Sequence, residues 1–351
     1  MDLLALGYDN WVASHAGELL QDGQALARVM TVERGAFILQ SEHGETASEL
    51  SGKFHFDVEV RTDIPCVGDW VCIEQSSPTL AIIHAVLPRR TFLRRKTPGK
   101  TVDFQMIAAN VDVVFIVQSC HYDFNIRRLE RYLIAANEGG SEPILILTKT
   151  DLVTPEELEG MIAQIREAGI STPLLPISNE TGDGLELFRE TLSSGQTFCL
   201  LGSSGVGKST LINRLTGNED LETRAVSETG EGAHTTTRRQ LMLLEGGALL
   251  IDTPGMRELG LIGASEAVED SFSNIRDLVL TCRFSDCSHT QEPGCAIRKA
   301  LESGELDADQ FQSYLKLKKE TDFNDLSYVD KRKKDKNFGK MIKSVMKNKK
   351  P

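Results

Sequence analysis

The pattern of apolar and polar positions changes character along this chain of 351 residues. Between about Gln24 and Leu87, short apolar runs are separated by turns that contain glycine. In "FHFDVEV" the apolar residues recur with a period of two, which predicts a half-buried strand. Its buried face would hold Phe54, Phe56, Val58 and Val60. The runs "AFILQ", "GDWVCIE" and "LAIIHAVL" predict further strands of the same module.

We therefore expect a small all-β module of about five strands, closed into a compact barrel of the oligonucleotide-binding (OB) type. A β-module without a ligand is the alternative, because strand count alone does not distinguish the two. A basic linker that contains Pro and Gly, "LPRRTFLRRKTPGKT" (87–101), follows this module.

Beyond the linker, apolar strands alternate with amphipathic helices. The runs "VDVVFIV" and "PILIL" are apolar throughout, whereas "NIRRLERYLIAANEGG" and "PEELEGMIAQIREAG" have the spacing of helices. This alternation predicts a parallel sheet that is covered on both faces. Ligands of such sheets bind at the carboxyl ends of the strands, where the candidate chemistry of this chain falls.

The segment "FCLLGSSGVGKSTLINRL" combines an apolar strand, a glycine-rich loop and a helix start, in the spacing G-x-x-x-x-G-K-S. Backbone N–H groups of such a loop surround phosphate oxygens, while Lys208 reaches the β and γ phosphates and assists the reaction. Ser209 is the predicted magnesium ligand. The predicted nucleotide contacts are Gly202, Ser203, Ser204, Gly205, Val206, Gly207, Lys208, Ser209 and Thr210.

Two later segments predict a response to the γ-phosphate. In "ALLIDTPGMREL" (248–259), Asp252 can hold Mg²⁺ through water and the Gly255 N–H can meet the γ-phosphate. The polar loop "GEGAHTTTRR" (230–239) lies before it, and a hydroxyl from Thr236 or Thr237 would complete magnesium coordination, with Thr237 as the predicted ligand. A threonine run alone would be an ordinary loop, and its position between the two motifs favours a switch.

The segment "ILTKTDL" is typical of the N/T-K-x-D element that reads guanine, with Thr148, Lys149 and Asp151 in the contact positions. The Asp151 carboxylate would accept from the ring N–H and the exocyclic amine, which adenine does not offer. The later "ISNETGDG" (177–184) places Ser178 at another strand end. Both precede the phosphate loop instead of following it, which predicts a circular permutation. A chance T-K-x-D beside an ATPase would leave the placement of Ser178 unexplained.

Hydrolysis itself has fewer candidate residues. Met256 follows the D-x-x-G glycine, where Ras-like proteins have a glutamine that positions water, so intrinsic hydrolysis should be slow. His234 is the imidazole of the switch loop and could position water as a catalytic residue. A loop histidine with no special role would look the same in the sequence.

A cysteine cluster, "CRFSDCSHTQEPGCAI", gives the spacing C-x4-C-x-H-x5-C. Its three thiolates and one imidazole suit a closed, structural zinc site, although buried cysteines without a metal remain an alternative because the spacing is unusual. The predicted zinc ligands are Cys282, Cys287, His289 and Cys295. The following "AIRKALESGELDADQFQSYLKLKKE" predicts helices.

Composition and charge narrow the class of protein further. Hydrophobic residues make up 40% and charged residues 26%, as in a soluble globular protein. No run approaches the roughly 20 apolar residues of a membrane span, and no secretory signal is evident, so we expect a cytoplasmic protein. The net charge is −12, but residues 331–350 hold ten Lys or Arg against one Asp. This tail is either an arm that binds a polyanion or a solubilising, disordered segment.

Taken together, these motifs resemble the RsgA (YjeQ-type) family, circularly permuted GTPases that the small ribosomal subunit stimulates. The resemblance covers almost the whole chain and implies a multidomain protein. It would have an N-terminal region with an OB-type β-barrel and basic linker (1–98), a central circularly permuted α/β P-loop GTPase domain (99–262), and a C-terminal zinc-binding helical domain with the basic tail (263–351).

The family resemblance implies GTP hydrolysis coupled to late maturation of the small subunit, with release after hydrolysis. Its implied cofactors are GTP/GDP, Mg²⁺ and one Zn²⁺, and its implied partners are the small ribosomal subunit and its rRNA, for a monomer that binds no membrane. The family's switch histidine maps to His234. Competing functions are a P-loop ATPase or GTP-binding regulator of a protein partner, and an RNA-binding adaptor without catalysis.

This chain departs from the family pattern at two positions. Ala233 stands where the family often has Arg, which puts switch-loop contacts to phosphate or RNA in doubt. Thr148 replaces the commoner Asn of the guanine-reading element, so we expect slightly weaker bracing of the base-binding loop.

Overall fold

The computed structural model describes residues 2–33, 36–58, 60–96, 104–121, 124–203, 205–217, 239–252, 272–284, 287–308, 310–312, 314–315 and 317–318. The chain forms two compact units: residues 1–95 with 104–259, and residues 96–103 with 260–351. The first unit contains both the N-terminal barrel and the predicted nucleotide domain. The two boundaries between the three domains predicted from the sequence therefore remain a prediction.

The described part of the N-terminal region forms a closed five-stranded barrel, as predicted. Its strands are β1 (Ala25–Glu33), β2 (Ala36–Ser41), β3 (Gly44–Leu50), β4 (Trp70–Ser77) and β5 (Leu80–Val86). Antiparallel pairing joins β1 to β2, β2 to β3 and β4 to β5, while β3 runs parallel to β5. Pairing of β1 with β4 closes the ring around an apolar core.

Helix α1 (Asn10–Leu19) packs beside the barrel. It begins at Asp9, whose carboxylate accepts from the Val12 N–H at 2.9 Å and so satisfies a free donor of the first turn. Val12 and Ala16 are buried in the same apolar cluster as Leu26 and Trp70.

The strand predicted for "FHFDVEV" is wrong. Its first four residues belong to helix α2 (Gly52–Asp57), whose N-cap is Ser51, with the Ser51 hydroxyl accepting from the Phe54 N–H at 3.1 Å. Strands β1 to β5 complete the ring without this segment, and its backbone donors form local helical bonds instead, as from the Val58 N–H to the Phe54 carbonyl at 3.1 Å. Phe56 and Val60, predicted to be buried, are 89% and 53% exposed.

The predicted linker also differs from expectation, because part of it is ordered structure. Strand β6 (Phe92–Lys96) pairs with β7 (Phe104–Ala109) in a two-stranded sheet. The guanidinium of Arg94 lies 4.0 Å from the ring centroid of Phe104 and pairs with Glu138. Aromatic and carboxylate partners within the protein therefore account for basic residues that, in the sequence, indicated a solvated connection.

The predicted parallel sheet is present in the first unit. Its strands are β8 (Val113–Ser119), β9 (Glu142–Thr148), β10 (Leu174–Pro176), β11 (Thr197–Leu201), β12 (Arg239–Leu243) and β13 (Leu249–Asp252). The order is β10-β9-β8-β11-β13-β12, with parallel pairs from β10 to β13 and an antiparallel β12. The accompanying helices are α3 (Ile126–Glu138), α4 (Pro155–Glu167), α5 (Leu185–Glu190) and α6 (Lys208–Thr216).

The nucleotide sheet and the barrel are joined by strand pairing. Strand β12 pairs antiparallel with β1, with Thr31 opposite Gln240 and Val32 opposite Arg239. The described strands of the two parts thus form one sheet of eleven strands. The barrel is therefore an extension of the nucleotide sheet within this unit.

Arg28 of β1 ties the same two parts together from within. It is 1% exposed, and its guanidinium donates to the Thr197 hydroxyl at 2.8 Å and to the carbonyls of Gly68 and Asn110 at 3.2 Å. Burial lowers the pKa of Arg28 to about 10, with Asp112 acting in the opposite direction. Neutral acceptors satisfy this buried cation, so its hydrogen bonds depend on the barrel and the sheet staying together.

In the second unit, the described residues include helix α7 (Ser273–Leu280), helix α8 (Ala296–Ser303) and helical residues between 308 and 318. The helices predicted after the cysteine cluster are thus present there. Within the described ranges of the whole chain, no helix combines the length and apolarity needed to span a membrane.

Removing the buried charge of Asp69 should destabilise the barrel. Asp69 is fully buried and accepts from Arg89 at 2.8 and 2.7 Å, so Asp69→Asn leaves a largely buried guanidinium without its counter-charge. We expect the free energy of unfolding to fall by about 3–5 kcal/mol. Urea unfolding followed by tryptophan fluorescence measures it, because Trp11 and Trp70 both pack at the barrel.

The matched control is Asp9→Asn, which alters an exposed pair with Arg90 and keeps a good helix cap. It should cost less than about 1 kcal/mol. Equal effects of the two substitutions would contradict the assignment of Asp69.

Candidate nucleotide site and metal centre

The residues predicted to bind nucleotide come together at one edge of the sheet. Strand β9 ends at Thr148, β13 ends at Asp252, and the phosphate loop follows the last residue of β11. Ser178 follows β10 by two residues. Because these strands are parallel, their carboxyl ends share one edge, which is where ligands of such sheets bind.

The phosphate loop turns tightly between β11 and α6. Gly205 and Gly207 have φ angles of +80° and +96°, a region that favours glycine, and Gly207 is the N-cap of α6. A Cβ on Gly202 would lie 2.3 Å from the Val117 carbonyl oxygen, so only glycine fits there. The Lys208 ammonium donates to the carbonyls of Gly202 and Ser203 at 2.8 and 2.6 Å. Its charge therefore lies inside the loop.

Asp252, a predicted magnesium residue, is the last residue of β13. It is 6% exposed, and burial raises the pKa of its carboxyl group while the Lys208 ammonium acts to lower it. Ser209 lies in the first turn of α6, at the same edge. A hydroxyl from the start of this helix and a carboxylate from the end of β13 are the groups that hold Mg²⁺ in P-loop proteins.

The segment that is predicted to read guanine is held in a fixed conformation. Lys149 has a φ of +60°, and Asp151 lies in the 3₁₀ turn Thr150–Leu152. The buried Ser178 hydroxyl donates to Asp151 Oδ1 at 2.6 Å and accepts two backbone N–H groups at 3.1 Å, so its own position is fixed. Asp151 itself is exposed. Its carboxylate is thus oriented and accessible to a base.

Side chains from outside the phosphate loop also hold it. Thr148 Oγ1 donates to the Val206 carbonyl at 2.6 Å, and Asn179 Nδ2 donates to the Gly207 carbonyl at 3.2 Å. Arg128 of α3 donates to the Ser203 hydroxyl. Sequence reasoning missed Asn179 and Arg128. Asn179 could have been found from its place after Ser178, whereas no motif marks Arg128.

Five of the predicted site residues lie outside the residues that the structure describes. They are the switch threonines Thr236 and Thr237, the catalytic candidate His234, Gly255 of D-x-x-G and Ser204 of the phosphate loop. Their roles stay predictions.

In the second unit, the four predicted zinc ligands come together: the ligand atoms of Cys282, Cys287, His289 and Cys295 lie within 4.8 Å of one another. His289 Nδ1 lies 3.6 Å from the Cys282 sulfur and 3.5 Å from the Cys295 sulfur. A tetrahedral zinc with ordinary Zn–N and Zn–S bonds would place these atoms about 3.5 Å apart. The donor set and its spacing therefore fit Zn²⁺.

The start of helix α8 favours thiolates at this cluster. Cys295 is the N-cap residue and its sulfur accepts from the Arg298 N–H at 3.5 Å. Burial opposes ionisation of Cys282, but hydrogen bonds from the backbone N–H groups of Ala296 and Ile297, together with those from the thiols of Cys295 and Cys287, lower the pKa of this thiol. The helix N-terminus thus stabilises negative sulfur, the form that binds metal.

The loop that carries His289 is ordered by Glu292. Its carboxylate accepts from the Ser288 hydroxyl at 2.5 Å and from the backbone N–H groups of Ser288, Thr290 and Gln291. The bond from Ser288 is the main reason why the pKa of Glu292 falls to about 2. This network holds His289 in its unusual backbone conformation, with a φ of +60°.

A phosphate loop and a guanine-reading segment at one sheet edge, with the reader first in the chain, define a circularly permuted P-loop GTPase. The family model for the RsgA GTPase matches residues 86–262. The chain belongs to the RsgA GTPase family and hydrolyses GTP, so the family prediction made from the motifs is confirmed.

Curated relatives and a solved structure agree with this assignment. Small ribosomal subunit biogenesis GTPase RsgA 2 of Lactiplantibacillus plantarum is 39% identical over 93% of this chain and 92% of its own length. The RsgA protein of Opitutus terrae is 41% identical over 91% of this chain and 90% of its own length. The YjeQ structure from Thermotoga maritima has a TM-score of 0.63 and 26% identity, covering 85% of this chain and 98% of that one.

Asp151→Asn should exchange the preferred base. The amide donates where the carboxylate accepted, so GTP affinity should fall at least about tenfold and xanthosine triphosphate affinity should rise. Fluorescent-nucleotide titration measures both. Asp183→Asn, an exposed carboxylate on the neighbouring loop, is the matched control and should change neither affinity. An equal loss for both nucleotides would refute the role of Asp151.

The freshly purified protein should carry one tightly held zinc, and Cys287→Ala should lose it and unfold the second unit, because metal binding there supplies folding energy. Metal analysis and circular dichroism measure the two effects. Cys72→Ala, a buried barrel cysteine, should keep the zinc. Unchelated protein without zinc would disprove the site.

Proposed function

We propose that this protein binds the small ribosomal subunit, hydrolyses GTP during late maturation of that subunit and leaves after hydrolysis. The observation that carries the proposal is the name of the relatives, small ribosomal subunit biogenesis GTPase, which align with more than nine-tenths of this chain. Alignment over this length includes the barrel, the nucleotide sheet and the cysteine cluster, so it supports a common role for all three.

The proposed nucleotide site uses the residues at the sheet edge. The phosphate loop (202–210) binds the phosphates of GTP or GDP, and Asp151 reads guanine with Thr148, Lys149 and Ser178 in support. Ser209 and Thr237 ligate Mg²⁺, while Asp252 holds it through water. Thr236 and Gly255 respond to the γ-phosphate, and His234 positions the attacking water beside Lys208.

The proposed partner contacts are polar and basic. The OB-type barrel and the tail (331–350) contact rRNA, since the tail is the basic part of an otherwise acidic chain. One Zn²⁺, held by the cysteine cluster, stabilises the second unit. We propose a cytoplasmic monomer without membrane contacts.

Strand connectivity suggests how nucleotide state could reach the partner. Strand β12 follows the switch segment directly and pairs with β1 of the barrel, which links the γ-phosphate response to an RNA-facing module. The D-x-x-G segment leads along the chain into the cysteine cluster. A change at the γ-phosphate can therefore act on both modules without an intervening domain.

A GTPase that regulates a protein partner, with zinc serving only stability, is the competing function. Its hydrolysis would respond to that protein and not to ribosomal subunits.

Isolated small subunits should strongly stimulate GTP hydrolysis by the purified protein. Met256 cannot orient water, so the free enzyme lacks an ordered group that a partner can supply, and such help is worth roughly 10³ to 10⁵ in rate in other GTPases. Phosphate release under multiple turnover measures the effect, with large subunits as the parallel sample.

Ser209→Ala should abolish the stimulated rate, because magnesium loses a ligand. Ser193→Ala is the matched control, an exposed serine that precedes β11 at the end away from the phosphate loop, and it should keep the full rate. If large subunits or another protein accelerate hydrolysis and small subunits do not, the proposal is wrong although the GTPase assignment stands.

A further inference from the structure

The base-reading loops hold two carbonyl groups of the phosphate loop from outside. Thr148 bonds the carbonyl of Val206, and Asn179 bonds the carbonyl of Gly207. We propose that Asn179 is a positioning residue for nucleotide binding: with Thr148, it orients the phosphate-loop N–H groups that receive the phosphates. This inference concerns nucleotide affinity alone and does not depend on the ribosomal partner.

The planar peptide bond links each of these carbonyls to the N–H group of the next residue. In a trans peptide the C=O of one residue and the N–H of the next point in opposite directions. Fixing the Val206 carbonyl outward therefore turns the Gly207 N–H inward, and fixing the Gly207 carbonyl does the same for the Lys208 N–H. These N–H groups lie at the start of α6, where a phosphate binds.

Glycine gives this part of the loop freedom that the side-chain bonds remove. Gly207 has a φ of +96°, and the loop before it contains Gly205. A glycine peptide can rotate more easily than any other, so the bonds from Thr148 and Asn179, together with the helical bond from Leu211 to Gly207, restrict the directions in which the loop presents its N–H groups. Preorganised donors bind an anion better because they need no reorientation on binding.

Asn179 is itself firmly held. It is 7% exposed, and its backbone carbonyl accepts from Arg214 of α6 at 2.7 Å. Its buried Oδ1 has no hydrogen-bond partner among the described residues. An unpaired buried oxygen is unfavourable. Among the described residues, the hydrogen bond that the Asn179 side chain does make is the one from Nδ2 to the Gly207 carbonyl. A Cβ on Gly207 would lie 3.0 Å from that Nδ2, which indicates how closely the amide approaches the loop.

Thr148 and Asn179 divide the two carbonyls of the phosphate loop between them. A threonine hydroxyl carries one proton, and in Thr148 the shorter of its two contacts is to Val206 at 2.6 Å. An amide carries two donor protons. The Gly207 carbonyl accepts the first helical bond of α6 from the Leu211 N–H at 2.9 Å, and Asn179 adds a second donor to it from the base-reading side. The two residues should thus behave as a coupled pair.

The same loops also carry the base-reading contact. The Ser178 hydroxyl donates to Asp151 Oδ1 at 2.6 Å, and Ser178 is the neighbour of Asn179 in the chain. Thr148 precedes Asp151 by three positions. Guanine recognition and phosphate orientation therefore share one rigid support. A base that docks against Asp151 meets phosphate donors that already point correctly.

The test is the dissociation constant of GDP and GTP with Mg²⁺, measured by calorimetry on the full chain without ribosomes. Asn179→Ala should weaken both nucleotides on the order of tenfold, the typical effect of one lost hydrogen bond. Asn179→Asp should weaken them more, because an isosteric carboxylate repels the Gly207 carbonyl. Glu180→Ala, at the exposed neighbouring position, should bind as the unaltered protein does.

The decisive variant combines Thr148→Asn with Asn179→Ala, which returns a two-proton donor to the phosphate loop from the other side. It should bind nucleotide several-fold more tightly than Asn179→Ala alone, with thermal unfolding midpoints of the nucleotide-free proteins unchanged. Asn179→Ala that binds within twofold of the unaltered protein would overturn the proposal. So would a folded double variant that binds no better than the single one. If the unaltered protein bound no guanine nucleotide, the GTPase assignment itself would fail first.

Discussion

The shared carboxyl edge of the parallel strands is the constraint on which this molecule depends. Strands β8 and β11 are buried along their entire lengths, so a functional polar side chain in their interiors would lose its hydration. Chemistry is therefore confined to the loops at the strand ends. Because all these strands point the same way, the base reader, the phosphate loop and Asp252 meet there regardless of their order in the chain.

This constraint also explains why the permutation is tolerated. Parallel pairing of β8 with β9 and β11 fixes which strand ends are neighbours, and this pairing is the same whether the reader precedes or follows the phosphate loop in the chain. The permutation instead changes what lies at either end of the domain. The barrel now precedes the sheet and joins it through β1 and β12, while the D-x-x-G segment leads towards the cysteine cluster.

Much of this arrangement could be predicted from the sequence, because strand periodicity and motif spacing depend on interactions between residues that are close together in the chain. Barrel strands β2, β4 and β5, the parallel sheet and the phosphate loop were predicted from such patterns, whereas β1 and β3 were not. The strand expected at Phe56 was wrong. A period of two in the sequence shows that a segment could be a strand, but it does not show that five other strands already complete the ring. The structured part of the linker was missed because the partners of its arginines are distant in sequence, as with Arg89 and Asp69.

The same distinction between local and distant interactions applies to the nucleotide site. Residues of contiguous motifs could be predicted, whereas the support of the phosphate loop could not, since Asn179 and Gly207 are 28 positions apart and meet only in the folded sheet. The substitution of Thr148 for asparagine suggested weaker bracing. In the fold, its hydroxyl bonds Val206, and an amide from another loop bonds the next carbonyl.

The central claim is that guanine recognition and phosphate binding occur together at this one edge. A crystal structure of the full chain with GDP and Mg²⁺ tests it most directly. The account predicts guanine against the Asp151 carboxylate and the β-phosphate on the N–H groups of Gly207 and Lys208, with the bonds from Thr148 and Asn179 retained. A base bound away from Asp151, or phosphates outside the loop at the start of α6, would contradict it.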